Sequence, residues 1–97
     1  MALKVQWTAL AVKERDQILS FYQDRNGNAK YSRELNRHFK KSMGLVASNQ
    51  LMGKATDWPG VRYVNVMEYS LIYQVQADTL IVLSVWDNRR DPDKRSY

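Results

Sequence analysis

The stretch from Val61 to Trp86 constrains the fold more than any other part of the chain. Its runs "VRYVNV" (Val61 to Val66), "YSLIYQV" (Tyr69 to Val75) and "TLIVLSVW" (Thr79 to Trp86) are separated only by Met67–Glu68 and by Gln76 to Asp78. All three are rich in β-branched and aromatic residues and read as strands. Connections this short make hairpins, so a three-stranded antiparallel meander is predicted. The last run is nearly continuous in apolar residues, which places it centrally, covered on both faces.

The residues upstream supply what covers the sheet. "LKVQW" (Leu3 to Trp7) alternates as a half-buried strand does, and Thr8 suits a helix N-cap. From Ala9 to Asn26 a helical period takes over, with Leu10, Ala11, Ile18, Leu19 and Tyr22 as its apolar residues. "RNGN" stops it, and Gly27 suits a left-handed C-terminal cap. A second helix is predicted from about Ala29 to Met43, where Tyr31, Leu35, Phe39 and Met43 recur at i, i+4. Its other faces carry Lys30, Arg33, Arg37, Lys40 and Lys41 against a single acid, Glu34. Gly44, Gly53, Pro59 and Gly60 punctuate a looser stretch before the meander. The outline is an α+β fold in the order β-α-α-β-β-β, an antiparallel sheet with a helical hairpin on one face.

A chain of 97 residues makes one domain, 1–97, with 91–97 read as a flexible tail. It has no apolar run long enough to span a bilayer, and "MALKVQWTAL" lacks a signal peptide's apolar region. With no cysteine and one histidine, His38, neither a disulfide framework nor a metal site is expected, and no cofactor. A cytoplasmic setting fits this usage. Net charge is +5, which reads either as a merely soluble basic domain or as a surface for an anionic partner, nucleic acid or an acidic protein segment.

The candidate contact residues follow from that charge. "LIVLSVWDNRRDP" (Leu80 to Pro92) delivers Arg89 and Arg90 at the end of a buried strand. They are a solvated exit, a clamp on the fold, or a surface that meets phosphate or an acidic partner. From Asp87 to Tyr97 four basic residues face three acidic ones, too even a balance for a nucleic-acid tract. Arg62 reads either as a rim arginine paired with Glu68 or Asp87, or as a contact residue. Trp58, in the "TDWPG" loop, is a further contact candidate, whereas His38 reads as a surface or packing residue.

The strand, the helical hairpin and the run "GVRYVNVMEYSLIYQVQADTLIVLSVWDNRRDP" together resemble the RelE/ParE superfamily of toxins from bacterial type II toxin–antitoxin modules. The resemblance covers roughly Lys4 to Pro92, and the long hairpin with "NGNAKYSRELNRHFKKSM" as its second arm is closer to the ParE type. It implies growth arrest and plasmid stabilisation by a toxin that binds DNA gyrase and is neutralised by a cognate antitoxin with an acidic segment. It implies no membrane partner and no sequence-specific DNA binding by the toxin alone. Arg62, Trp58, Arg89, Arg90, Arg33, Arg37, Lys40 and Lys41 are then the residues that meet target or antitoxin. The alternative is a RelE-type, ribosome-dependent mRNA endonuclease without a metal, with Lys54, Arg62, Tyr69, Arg89 and Arg90 as its groups. RelE-type chains commonly carry an arginine after the aromatic residue of the "Y-x-L-x-Y" strand, where this sequence has Ser70. They also tend to place a tyrosine in a C-terminal helix, where this sequence offers only Tyr97.

Overall fold

In the computed structural model, which describes residues 2–95 and Tyr97, seven main elements follow one another. They are β1 (Lys4–Trp7), α1 (Ala9–Asn26), α2 (Lys30–Ser48), β2 (Lys54–Ala55), β3 (Val61–Val66), β4 (Tyr69–Gln76) and β5 (Thr79–Asp87), with a 3₁₀ turn at Pro92–Lys94. The strands form one five-stranded sheet in the order β1-β5-β4-β3-β2. The α+β class, the hairpin and the meander are as the sequence predicts, and two features differ.

The first is β2, a two-residue strand that pairs antiparallel with β3 through Lys54–Tyr63 and Ala55–Arg62. It adds one more reversal of the chain between α2 and the meander. With that extra reversal β1 and β5 run the same way, and they pair in parallel from Lys4–Thr79 to Trp7–Val82. The sheet is therefore mixed rather than wholly antiparallel. The second is the length of α2, which passes Gly44 and ends at Ser48. Val46 and Ala47, 0% and 5% exposed, bury against the core, and that burial outweighs the helix cost of one glycine of about 1 kcal/mol.

The helix boundaries follow local chemistry. Thr8 caps α1 by accepting from the Ala11 N–H, and Gly27 closes it at φ 72°, its N–H donating to the Gln23 carbonyl. Both hairpin turns of the meander place a residue other than glycine at positive φ, Met67 and Ala77 at 56° each. The apolar residues divide by face. Ala11, Tyr22, Leu35, Phe39, Met43 and Val46 pack with Tyr69, Leu71, Tyr73, Leu80, Val82 and Val85 between helices and sheet. Val61, Ile72 and Trp86 form a smaller cluster on the opposite face, with Tyr63, Leu83 and Tyr97 against it. Of the expected helix stripes, Leu10 instead stands 44% exposed and Tyr31 37% exposed.

One side chain from α1 secures β5 where β1 stops. A register shift between Ile72 and Tyr73 leaves Leu83 without a cross-strand partner. The Thr8 hydroxyl donates to the Leu83 carbonyl (3.1 Å), and the Glu14 carboxylate accepts from the Ser84 hydroxyl (2.8 Å) and the Val85 N–H (3.1 Å). The open edge of β5 is thus capped from within the chain.

Candidate functional site

Tyr69, the first residue of β4, turns its ring into the helix-facing layer, where it is 2% exposed and meets Phe39 edge-on at 5.7 Å. Its hydroxyl donates to that of Tyr22 on α1 (3.2 Å), and Arg89 donates to it from outside (3.3 Å). Arg89 in turn pairs with Asp87 (2.9 Å) and with Glu68 (2.8 Å). The arginine at the end of β5 is therefore a clamp that ties the strand exit, the β3–β4 turn and α1 together. Its hydrogen bond holds the Asp87 carboxyl below the usual carboxylate range. Glu68 and Asp87, expected as partners of Arg62, serve Arg89 instead.

Two clefts flank this clamp. One, of about 420 Å³, lies between the hairpin tip and the β3–β4 turn and is lined by Tyr22, Arg25, Tyr31, Met67 and Glu68 among others. The other, of about 270 Å³, runs between α1 and the end of β5, past Gln17, Ile18, Phe21, Arg89 and Arg90. Phe21 is 56% exposed at its rim.

Burial raises the Tyr69 pKa well above the ordinary 10, with the bond to Tyr22 adding to it, and burial also raises that of Tyr73. A phenol held protonated in the fold, and free to ionise once unfolded, adds stability that is complete below about pH 10. That stability is lost as pH rises towards the raised folded value. Thermal unfolding followed from about pH 8 to about pH 11 is expected to show Tm falling beyond about pH 10. Tyr69→Phe should flatten the decline, and an equally steep decline in that variant would count against this account.

The sheet face away from the helices has a different character. Ser70, 2% exposed, places its hydroxyl 2.8 Å from Asn65 Oδ1 and 2.7 Å from Asn88 Oδ1, and Asn88 donates to Asn65 (3.2 Å). Beside this polar group come Ile72 and Trp86, and the Arg90 guanidinium lies over the Trp86 ring at 4.9 Å. Trp58, 54% exposed, meets Tyr97 edge-on at 6.2 Å. The segment expected as a tail thus carries the 3₁₀ turn and returns Tyr97 to this face, while Ser96 lies outside the described residues.

Of the residues named for RNA cleavage, the structure brings Tyr69 and Arg89 together. Lys54 and Arg62 sit elsewhere, on β2 and β3, and Arg62 donates to the Gly53 carbonyl (2.8 Å). Arg62 lies opposite Tyr73, four residues along β4 from Tyr69, about 13 Å at strand rise. Arg90 stacks on the far face. Arg33, Arg37, Lys40 and Lys41 stand exposed on α2, where Arg37 pairs with Glu34, and His38 Nε2 comes within 3.6 Å of the same carboxylate. Tyr22, Asn65 and Asn88 join the site although nothing in the sequence marks them for it. Tyr22 reads from sequence as core alone, and only the β3–β4–β5 register brings Asn65 and Ser70 near the end of β5. Among the described residues no group of three or more His, Cys, Asp or Glu side chains could hold a metal ion, and no helix is long and apolar enough to cross a membrane.

Strand, helical hairpin and meander, joined in this order around one sheet, are the architecture of the RelE/ParE superfamily. Residues 5–92 match the family described as "ParE toxin of type II toxin-antitoxin system, parDE", and the chain belongs to that family. Among solved structures, a chain titled "Chromosomal ParDE TA system from P. aeruginosa" superposes with a TM-score of 0.76 at 19% identity, covering 89% of this chain and 96% of that one. At that identity the likeness is one of fold. Among curated proteins no sequence matches.

Proposed function

We propose that this ParE-family toxin arrests growth by binding a protein target, DNA gyrase, and that a cognate antitoxin neutralises it by covering the same surfaces. It acts in the cytoplasm and performs no chemistry of its own. The observation that carries this reading is Ser70. The position where a RelE-type nuclease commonly presents an arginine holds a buried hydroxyl wedged between two carboxamides. In-line attack by a 2′-hydroxyl needs a base, a cation at the phosphate and an acid within reach of one another. Here Arg89 is engaged by two carboxylates, Arg62 by a backbone carbonyl and Arg90 by an indole. Tyr69 is buried, with its phenol held protonated.

The exposed surface suits protein recognition better. Trp58, Phe21 and Arg90 are aromatic and arginine anchors of the kind that dominate interfaces, and the two clefts beside Arg89 can receive a partner's side chains. An antitoxin segment that orders on binding would lie across them, by strand addition or as a helix in a groove.

Purified toxin is expected to inhibit supercoiling by gyrase and to trap cleaved DNA, and to leave mRNA intact on translating ribosomes. Cleavage of mRNA at codon-defined positions, with gyrase unaffected, would instead establish the endonuclease.

A further inference from the structure

The charge of this molecule is concentrated in one place. Helix α2 carries five basic residues and one acidic one, so +4 of the chain's +5 lies on it. The rest of the chain has ten basic residues against nine acidic and is almost neutral. At 100° per residue Lys30, Arg33, Arg37, Lys40 and Lys41 fall within an arc of about 100°. That arc is turned away from the stripe of Leu35, Phe39, Met43 and Val46 buried in the core. All five cations are exposed, and Arg37 pairs with Glu34, which stands just outside the arc. Lys30, Arg33, Lys40 and Lys41 have no ion-pair partner among the described residues.

The arc offers little else for a partner to grip. No aromatic or apolar side chain falls within it, and past Lys41 it continues with Gly44 and Ser48, both exposed. A Cβ at Gly44 would meet nothing within 4 Å, so no packing inside the fold calls for a glycine there. The face stays low, and a second rod can lie close along it. Protein interfaces are built differently, with aromatic anchors at the centre and lysine depleted. The exposed anchors of that kind here, Trp58 and Phe21, stand on other elements.

We infer that the outer face of α2 binds the phosphate backbone of duplex DNA without regard to sequence. The five cations span about 17 Å of helix axis, and the same length of duplex carries about five phosphates on each strand. The two surfaces are thus matched in charge density. Lysine and arginine contacts to phosphate position a protein on DNA and read no bases. Single-stranded nucleic acid fits less well, since the arc gives bases no aromatic platform to stack on. An anionic membrane also fits poorly, because the apolar side of α2 is buried in the core and cannot enter a bilayer surface. A second copy of this chain would bring two faces of like charge together. Arg33, Arg37, Lys40 and Lys41, expected from the resemblance to meet target or antitoxin, become contacts for DNA. A toxin held in this way stays close to any target that works on DNA.

The face is separate from the clefts beside Arg89, so the test needs neither gyrase nor antitoxin. The toxin is titrated into a fluorescent duplex of random sequence, about 24 base pairs long, and anisotropy is followed from about 50 to about 200 mM salt. Binding is expected with a Kd of about 1–100 µM at physiological salt, and with log K falling against log salt at a slope of about −4. Lys40→Gln/Lys41→Gln should weaken it about tenfold or more and flatten the slope by about 2. Lys13→Gln/Lys94→Gln removes the same charge from exposed positions off the face and should change affinity by less than about threefold. Circular dichroism checks the fold of each variant. An equal loss in both pairs would reduce the effect to net charge and overturn the assignment. So would a duplex that does not bind at low salt, or binding that ignores Lys40 and Lys41. Tighter binding of a glutamate-rich helical peptide, or of anionic phospholipid vesicles, at the same salt would overturn it as well.

Discussion

Gly53→Ala is expected to cost about 3 kcal/mol or more and to lower Tm by more than about 10 °C, the largest effect of a methyl added at any of the four glycines. Gly53 is buried between β2 and the end of α2, bonded on both sides of its backbone. Its N–H donates to the Tyr73 hydroxyl (3.0 Å) and its carbonyl accepts from Arg62 (2.8 Å). A Cβ there would stand 2.8 Å from Tyr73 Cε1 and 2.9 Å from the Tyr63 carbonyl oxygen, and would run into the Tyr73 hydroxyl. Neither neighbour can give way cheaply. Tyr63 is in the ladder of β3, and the Tyr73 ring is 1% exposed with its hydroxyl donating to the Gln50 carbonyl (2.9 Å). Relief must come from moving the loop, which breaks buried hydrogen bonds worth about 1–3 kcal/mol when left unsatisfied. Chemical unfolding of Gly53→Ala, Tyr73→Phe and the double variant checks the cause. The double variant should cost less than the sum of the singles, because the phenylalanine removes part of the obstacle. Strict additivity would place the strain on the Tyr63 carbonyl alone.

That loop also marks where the sequence stops being informative. Strand composition and tight turns give the meander, and a helical period with Thr8 and Gly27 at its ends gives α1. The two-residue β2 has no pattern of its own, because Lys54 and Ala55 become a strand only by pairing with β3. Yet that pairing decides whether β1 joins the sheet parallel or antiparallel. The end of α2 fails for a related reason. Gly44 argues locally for a stop, and the burial of Val46 and Ala47 is a tertiary gain that local rules do not contain. At the site the arginines were visible, but their partners were not. Whether Glu68 and Asp87 meet Arg62 or Arg89 depends on the β4–β5 register, which sets Tyr69 opposite Asp87. The basic face of α2, by contrast, is legible in full, since helical spacing alone puts its cations together.

Phe39→Ala is expected to lose about 3–5 kcal/mol, and Phe39→Leu about half of that or less. The ring is 0% exposed, so the alanine leaves a cavity that α2, held at both ends of the hairpin, cannot collapse. The consequence reaches the surface through one contact. Phe39 meets Tyr69 at 89° between ring planes, and Tyr69 holds Tyr22 and receives Arg89. With the space beneath it empty, Tyr69 can tilt, and the clamp keeps only the links from Arg89 to Asp87 and Glu68. The two clefts that share Tyr69 as a wall should then lose their fixed shape, although no residue on the rim has changed. Urea unfolding measures the first effect, and near-ultraviolet circular dichroism of the tyrosines reports the second. If recognition depends on a preformed surface, affinity for antitoxin or target should fall in Phe39→Ala even under conditions where the variant is fully folded. An unchanged affinity would mean that partners bind through the α2 face or the far side of the sheet, and that the tyrosine–arginine clamp serves the fold alone.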